Sequence, residues 1–82
     1  MKDDRNEEIY NRFCEKVKFI MKECNIKYDD MCQKLKIKKI LFTHKINHNQ
    51  GATFNLYQVL QIAKELDESV EYLCSDKWEI IK

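Results

Sequence analysis

"KYDDMCQKLKIKKILFTHKINHN", residues 27–49, decides how this chain is read. Met31, Cys32 and Leu35 recur at the spacing of one helical face. Asp29 and Asp30 stand at its start, where carboxylates suit the positive end of a helix dipole. A short helix is predicted over "KYDDMCQKLK". Ile37 follows, and a second pattern begins in which Leu41, Phe42 and Ile46 can share an inward face. Lys38, Lys39, Thr43, His44 and Asn47 then project from the other side. Two short helices joined by a tight turn are expected, the second with a polar, basic outer face.

Upstream, "RNEEIYNRFCEKVKFIMKEC" (5–24) spaces Ile9, Phe13, Val17, Ile20 and Cys24 by three and four residues, with Tyr10, Cys14 and Met21 beside them. This predicts an amphipathic helix starting near Asp3 or Asp4 and capped by Asn25. Downstream, "NHNQGATFN" (47–55) reads as a loop. Asn55 and Gln58 resemble a capping box opening "LYQVLQIAKEL", a fourth helix marked by Leu56, Val59, Leu60, Ala63 and Leu66. Ser69 caps a short fifth helix, "VEYLCS", buried through Val70 and Leu73. The tail "DKWEIIK" carries Trp78, Ile80 and Ile81, so it either packs back on the domain or meets another subunit.

Composition agrees with an all-α fold in one domain spanning residues 1–82. The 82 residues are 44% hydrophobic and contain no proline and one glycine, too few turn residues for tight hairpins. No apolar run approaches the roughly 18 residues of a membrane span, and the acidic N-terminus does not read as a signal peptide. A soluble, cytoplasmic protein with no membrane partner is expected. Cys14, Cys24, Cys32 and Cys74 form no paired ligand spacing and are expected to be reduced packing residues.

The net charge of +1 conceals an asymmetry. Residues 16–50 hold nine lysines against Glu23, Asp29 and Asp30, whereas both flanking segments are net acidic. A positive middle points to an anionic partner, although lysines adjacent in sequence can face different ways or simply solvate a helix start. His44 and His48 have a zinc-compatible spacing, but Lys45 stands where a metalloprotease pattern wants glutamate, and no third ligand is evident. No Ser/His/Asp or Cys/His arrangement is singled out, and Gly51 alone makes no phosphate loop. Neither an enzyme, a metal nor a cofactor is expected.

Taken in order, these pieces resemble the lambda-repressor/Cro-type (XRE-like) helix-turn-helix domain of bacteria and phages over residues 13–74. "VKFIMKECNIKYDDMCQKLKI" (17–37) and "LQIAKELDESVEYL" (60–73) carry the resemblance. Lys36 departs from it by standing where the family prefers glycine, so that residue either takes a left-handed conformation or the turn differs. Ile40 and Leu41 replace small polar residues, and the proline usual before the fourth helix is missing.

The resemblance implies a five-helix lambda-repressor-like domain with a short C-terminal tail. It also implies a sequence-specific transcriptional regulator of double-stranded DNA, Cro- or repressor-like, from a phage or mobile element and acting as a homodimer on a palindrome. Lys38, Lys39, Thr43, His44 and Asn47 would read bases. Lys27, Tyr28, Asn49 and Gln50 would contact phosphates. Leu73, Trp78, Ile80 and Ile81 would form the dimer surface. Ile40 either touches a thymine methyl or is buried by a locally shifted helix, and the second reading is favoured. The apolar "ILF" run and the tail motivate a competing class, a protein-interaction module such as an antitoxin or antirepressor partner.

Overall fold

The computed structural model describes residues 4–76, among which there are five α-helices and no strand: α1 (Asp4–Glu23), α2 (Tyr28–Leu35), α3 (Lys39–Ile46), α4 (Leu56–Leu66) and α5 (Val70–Cys74). A 3-10 turn, Asn49–Gly51, lies in the loop between α3 and α4. No helix among the described residues is long and apolar enough to cross a membrane.

A chain with a single glycine must end its helices by other means. Asn25 (φ 58°), Lys36 (φ 59°) and Asp67 (φ 57°) all adopt the left-handed conformation after α1, α2 and α4. At each end the next N–H reaches back into the helix: Ile26 to the Met21 carbonyl (2.8 Å), Ile37 to Cys32 (3.2 Å) and Glu68 to Ala63 (3.0 Å). This Schellman closure satisfies carbonyls that the helix leaves open. It also makes each exit tight, which is how α2 and α3 come to be joined by Lys36, Ile37 and Lys38 alone. Asn55 and Gln58 form the expected capping box of α4, and the Ser69 hydroxyl accepts from the Tyr72 N–H at the start of α5.

The core joins Phe13, Cys14, Val17 and Met21 of α1 to Met31, Cys32 and Leu35 of α2, Phe42 and Ile46 of α3, Ile62, Ala63 and Leu66 of α4, and Leu73 of α5. α1 packs on α4 and α5, α2 on α3 and α4, and α4 on α5. Phe54, placed in the loop by sequence, is buried as well, its ring 5.5 Å from Phe42 and 6.4 Å from Phe13.

Several faces differ from expectation. Cys24 is exposed at the end of α1, and Ile9 and Ile20 are half-buried, so the buried stripe runs through Phe13, Cys14, Val17 and Met21 instead. Leu41 is 46% exposed rather than inward, because Phe42 and Ile46 already fill the side of α3 that meets the core. Leu56 (73% exposed) and Leu60 also point outward. Gln58 takes the inward place: its Oε1 accepts from both the Asn55 N–H (3.0 Å) and Lys45 Nζ (3.1 Å), turning α4 so that Ile62 enters the core.

Lys16 is the least expected core member, fully buried on α1. Its ammonium donates to the Tyr72 carbonyl (3.0 Å), the Ser75 carbonyl (2.8 Å) and Ser75 Oγ (3.2 Å), and lies 4.4 Å from the centre of the Tyr72 ring. A cation placed on the terminal carbonyls of α5 satisfies them and complements the helix dipole. Burial pushes its pKa below the usual lysine value.

Candidate nucleic-acid interface on the third helix

α3 is eight residues long, and its residues from Phe42 onward hold it to the rest of the molecule. Phe42 and Ile46 are buried, and the Tyr28 and Phe42 rings pack in a T-shaped arrangement with their centres 5.0 Å apart. The Lys45 carbonyl accepts from the Tyr10 hydroxyl, and the Cys14 thiol lies 3.8 Å from the same oxygen. Tyr10 in turn accepts the Phe54 N–H at 3.1 Å, so one side chain of α1 ties the end of α3 to the loop that follows. Burial raises the Tyr10 phenol well above its ordinary pKa and pushes the Cys14 thiol up to about 11, so both keep their protons at neutral pH.

The loop is fixed from its other side by His48. Its Nδ1 lies 2.9 Å from the Ala52 carbonyl, which can only accept, so Nδ1 carries the proton. The imidazole also packs against the Tyr10 ring at 5.0 Å, with Nε2 4.0 Å from Glu7. His48, Gln50 and Gly51 all have positive φ, which folds the segment into a tight turn.

The stretch before Phe42, from Lys38 to Leu41, has no such ties. Lys38 is exposed on extended backbone just before the helix (φ −75°, ψ 150°), and Lys39 opens it. Lys39 Nζ is 3.4 Å from Asp29 Oδ1, with both side chains mostly in solvent. A pair so placed contributes little to stability and is readily exchanged for another anion. Ile40 is 63% exposed, so the reading that buried it in a shifted helix is overturned: burial of Phe42 and Ile46 puts residue 40 on the opposite side. Thr43 and His44 are half-buried, and Asn47 is exposed, its Oδ1 accepting from Lys18 Nζ at 3.3 Å. The outward surface of α3 is thus Ile40 and His44, with Thr43 and Asn47 on one flank and Leu41 on the other.

The residues assigned to phosphates separate into two groups. Lys27 is exposed at the start of α2, and Asn49 and Gln50 are exposed in the 3-10 turn. Tyr28, by contrast, is half-buried with its ring against Phe42; desolvation raises its pKa, and it serves first as a packing residue beneath α3. Lys27, Lys34, Lys36 and Lys38 are exposed and make no ion pair among the described residues, so the α2–α3 unit carries a surplus of uncompensated positive charge.

Of the residues assigned to a dimer surface, Leu73 is fully buried inside the domain and presents nothing to a second subunit. Trp78, Ile80 and Ile81 lie outside the described residues. Among the described residues no group of three His, Cys, Asp or Glu side chains is placed to hold a metal ion. Comparison with known proteins finds no matching family model, no matching curated protein and no matching solved structure.

Proposed function

We propose that this chain is a sequence-specific double-stranded DNA-binding transcriptional regulator, a Cro- or repressor-like protein of a phage or mobile element built on a lambda-repressor-like helix-turn-helix fold. The observation that carries the reading is the mounting of α3. The helix is fixed by Phe42, Ile46 and the Lys45 carbonyl, while its first turn and outward side stand clear, next to the uncompensated lysines of α2 and the turn. A helix held in this way can enter a major groove with its N-terminal residues against base edges, and lysines beside it can meet the phosphates.

In this reading Lys38, Lys39, Thr43, His44 and Asn47 face the groove, and Lys27, Asn49 and Gln50 contact the backbone. Two copies of the chain would read the halves of a palindrome one helical turn apart. Selection from a pool of random duplex DNA is the test. Enrichment of a defined sequence, with its binding lost in Lys39→Ala/His44→Ala while the helical content is kept, is the expected result. A pool that stays unenriched would sink the proposal.

A second reading has an observation of its own. Leu56, Tyr57 and Leu60 form an exposed apolar run on α4, and Ile40 and Leu41 add two more exposed aliphatic side chains on α3. A protein-interaction module of the antitoxin or antirepressor kind would use such surface. Co-purification with one defined protein partner, undisturbed in Lys39→Ala/His44→Ala, would favour it.

A further inference from the structure

We infer that Ile40 is a specificity-determining residue that recognises the 5-methyl group of a thymine, making the operator's thymine content at one position per half-site a property of this side chain. The inference rests on the DNA-binding reading above and deepens it.

Ile40 lies in the first turn of α3, on the side away from Phe42 and Ile46, with His44 one turn further along the same side. It is 63% exposed, and nothing in the fold requires an aliphatic side chain there. The surroundings restrict what it can meet. Lys38 and Lys39 precede it immediately, so a partner approaching this turn is anionic, yet Ile40 itself can neither donate nor accept a hydrogen bond.

A duplex satisfies both demands at once. Its phosphates and the electronegative edges of its guanines both answer the lysines, and the thymine methyl is the apolar group that a base pair displays in the major groove. An acidic protein surface would answer the lysines but would need an apolar group of its own opposite residue 40. His44, one turn on and able to donate or accept, would then bond a base edge next to that thymine. Leu41, turned to the flank, takes no part in reading this position.

The test is a methyl scan on the selected operator. Each thymine is replaced singly by deoxyuridine, which removes only the methyl group, and affinities of the full chain and of Ile40→Ala and Leu41→Ala are compared. One thymine per half-site should weaken binding by about fourfold when its methyl is removed, the loss expected for one buried methyl group. That sensitivity should vanish in Ile40→Ala and persist in Leu41→Ala. Ile40→Ala should fold normally because the side chain is exposed, and its circular dichroism and melting temperature check this.

Specific binding that ignores every thymine-to-uracil change overturns the inference alone. So does a sensitive thymine that remains equally sensitive in Ile40→Ala. Absence of any selected sequence overturns it together with the reading on which it rests, and so does capture of a protein partner through Ile40 in place of DNA.

Discussion

The Tyr10 hydroxyl donates to the Lys45 carbonyl thirty-five residues away and accepts the Phe54 N–H, so one phenol holds both the end of α3 and the loop behind it. Tyr10→Phe keeps the ring and removes both bonds, leaving the Phe54 amide without its partner and the Lys45 carbonyl with only the His48 N–H and the Cys14 thiol. A loss of about 1–3 kcal/mol is expected, read as a lower denaturation midpoint with an unchanged slope in urea. Stability equal to the parent would show that the hydroxyl is not what holds α3.

Lys16 makes a comparable prediction at the other end of the core. Lys16→Met preserves most of the aliphatic stem and deletes the ammonium that satisfies the Tyr72 and Ser75 carbonyls. Hydrogen bonds from a charged donor are worth about 1.5–3 kcal/mol, and a destabilisation of that order is expected. Hydrogen exchange localises it: amides of α5 should lose protection before those of α2.

Lys36 holds a left-handed conformation at φ 59°, ψ 44° without any side-chain reason to do so. Lys36→Gly removes the steric penalty of a Cβ, partly offset by glycine's greater freedom when unfolded, so a net gain of about 0.5–1 kcal/mol is expected. A gain in melting temperature is the readout, and a loss would show that the turn is not limited by this strain.

The cysteines should react in the order of their burial. Cys24 is exposed, Cys74 half-buried, and Cys14 and Cys32 buried, so a thiol reagent on the native protein should label Cys24 quickly and Cys14 and Cys32 only after unfolding. Cys14 also gives a pH dependence with a defined sign. Its folded value is raised from 9.0 to about 11, so the unfolded chain releases this proton first, and the stability it contributes is complete below pH 9.0 and lost as pH rises through about 11. Cys14→Ala should flatten the alkaline fall in stability over that window, and an identical alkaline profile would contradict it.

If the proposed DNA reading holds, the exposed lysines have separable roles. Lys27→Ala should weaken binding to all duplexes similarly and reduce the slope of log affinity against log salt by about one, whereas Lys38→Ala should also relax the preferred sequence. His44→Ala should leave that slope nearly unchanged while relaxing the preferred sequence. A Lys27 variant with the parent slope would remove that residue from the phosphate contacts.

Much of the local architecture was legible in the sequence because its signals are local. Asn25, the Asn55–Gln58 pair and Ser69 mark helix ends through bonds to neighbours a few residues away. Met31, Cys32 and Leu35 in α2, and Phe42 and Ile46 in α3, are buried as their spacing predicts. The candidate surface was legible only in part. The lysines stand out by their number, whereas the packing of Tyr28 under α3 and the outward turn of Ile40 carry no mark in the chain.

By itself, the sequence determined that the chain is helical, where its helices begin and end, and that its positive charge lies in the middle. Those properties follow from backbone propensity, capping and composition, which act over one or two turns. Only the tertiary structure decided which edge of each apolar stripe is buried. Leu41, Leu56 and Leu60 turn out while Lys16, Phe54 and Gln58 turn in, because that choice depends on partners such as Ser75, Phe13 and Lys45. Those partners lie thirteen to fifty-nine positions away. Helical periodicity defines a face but not the neighbour that will cover it.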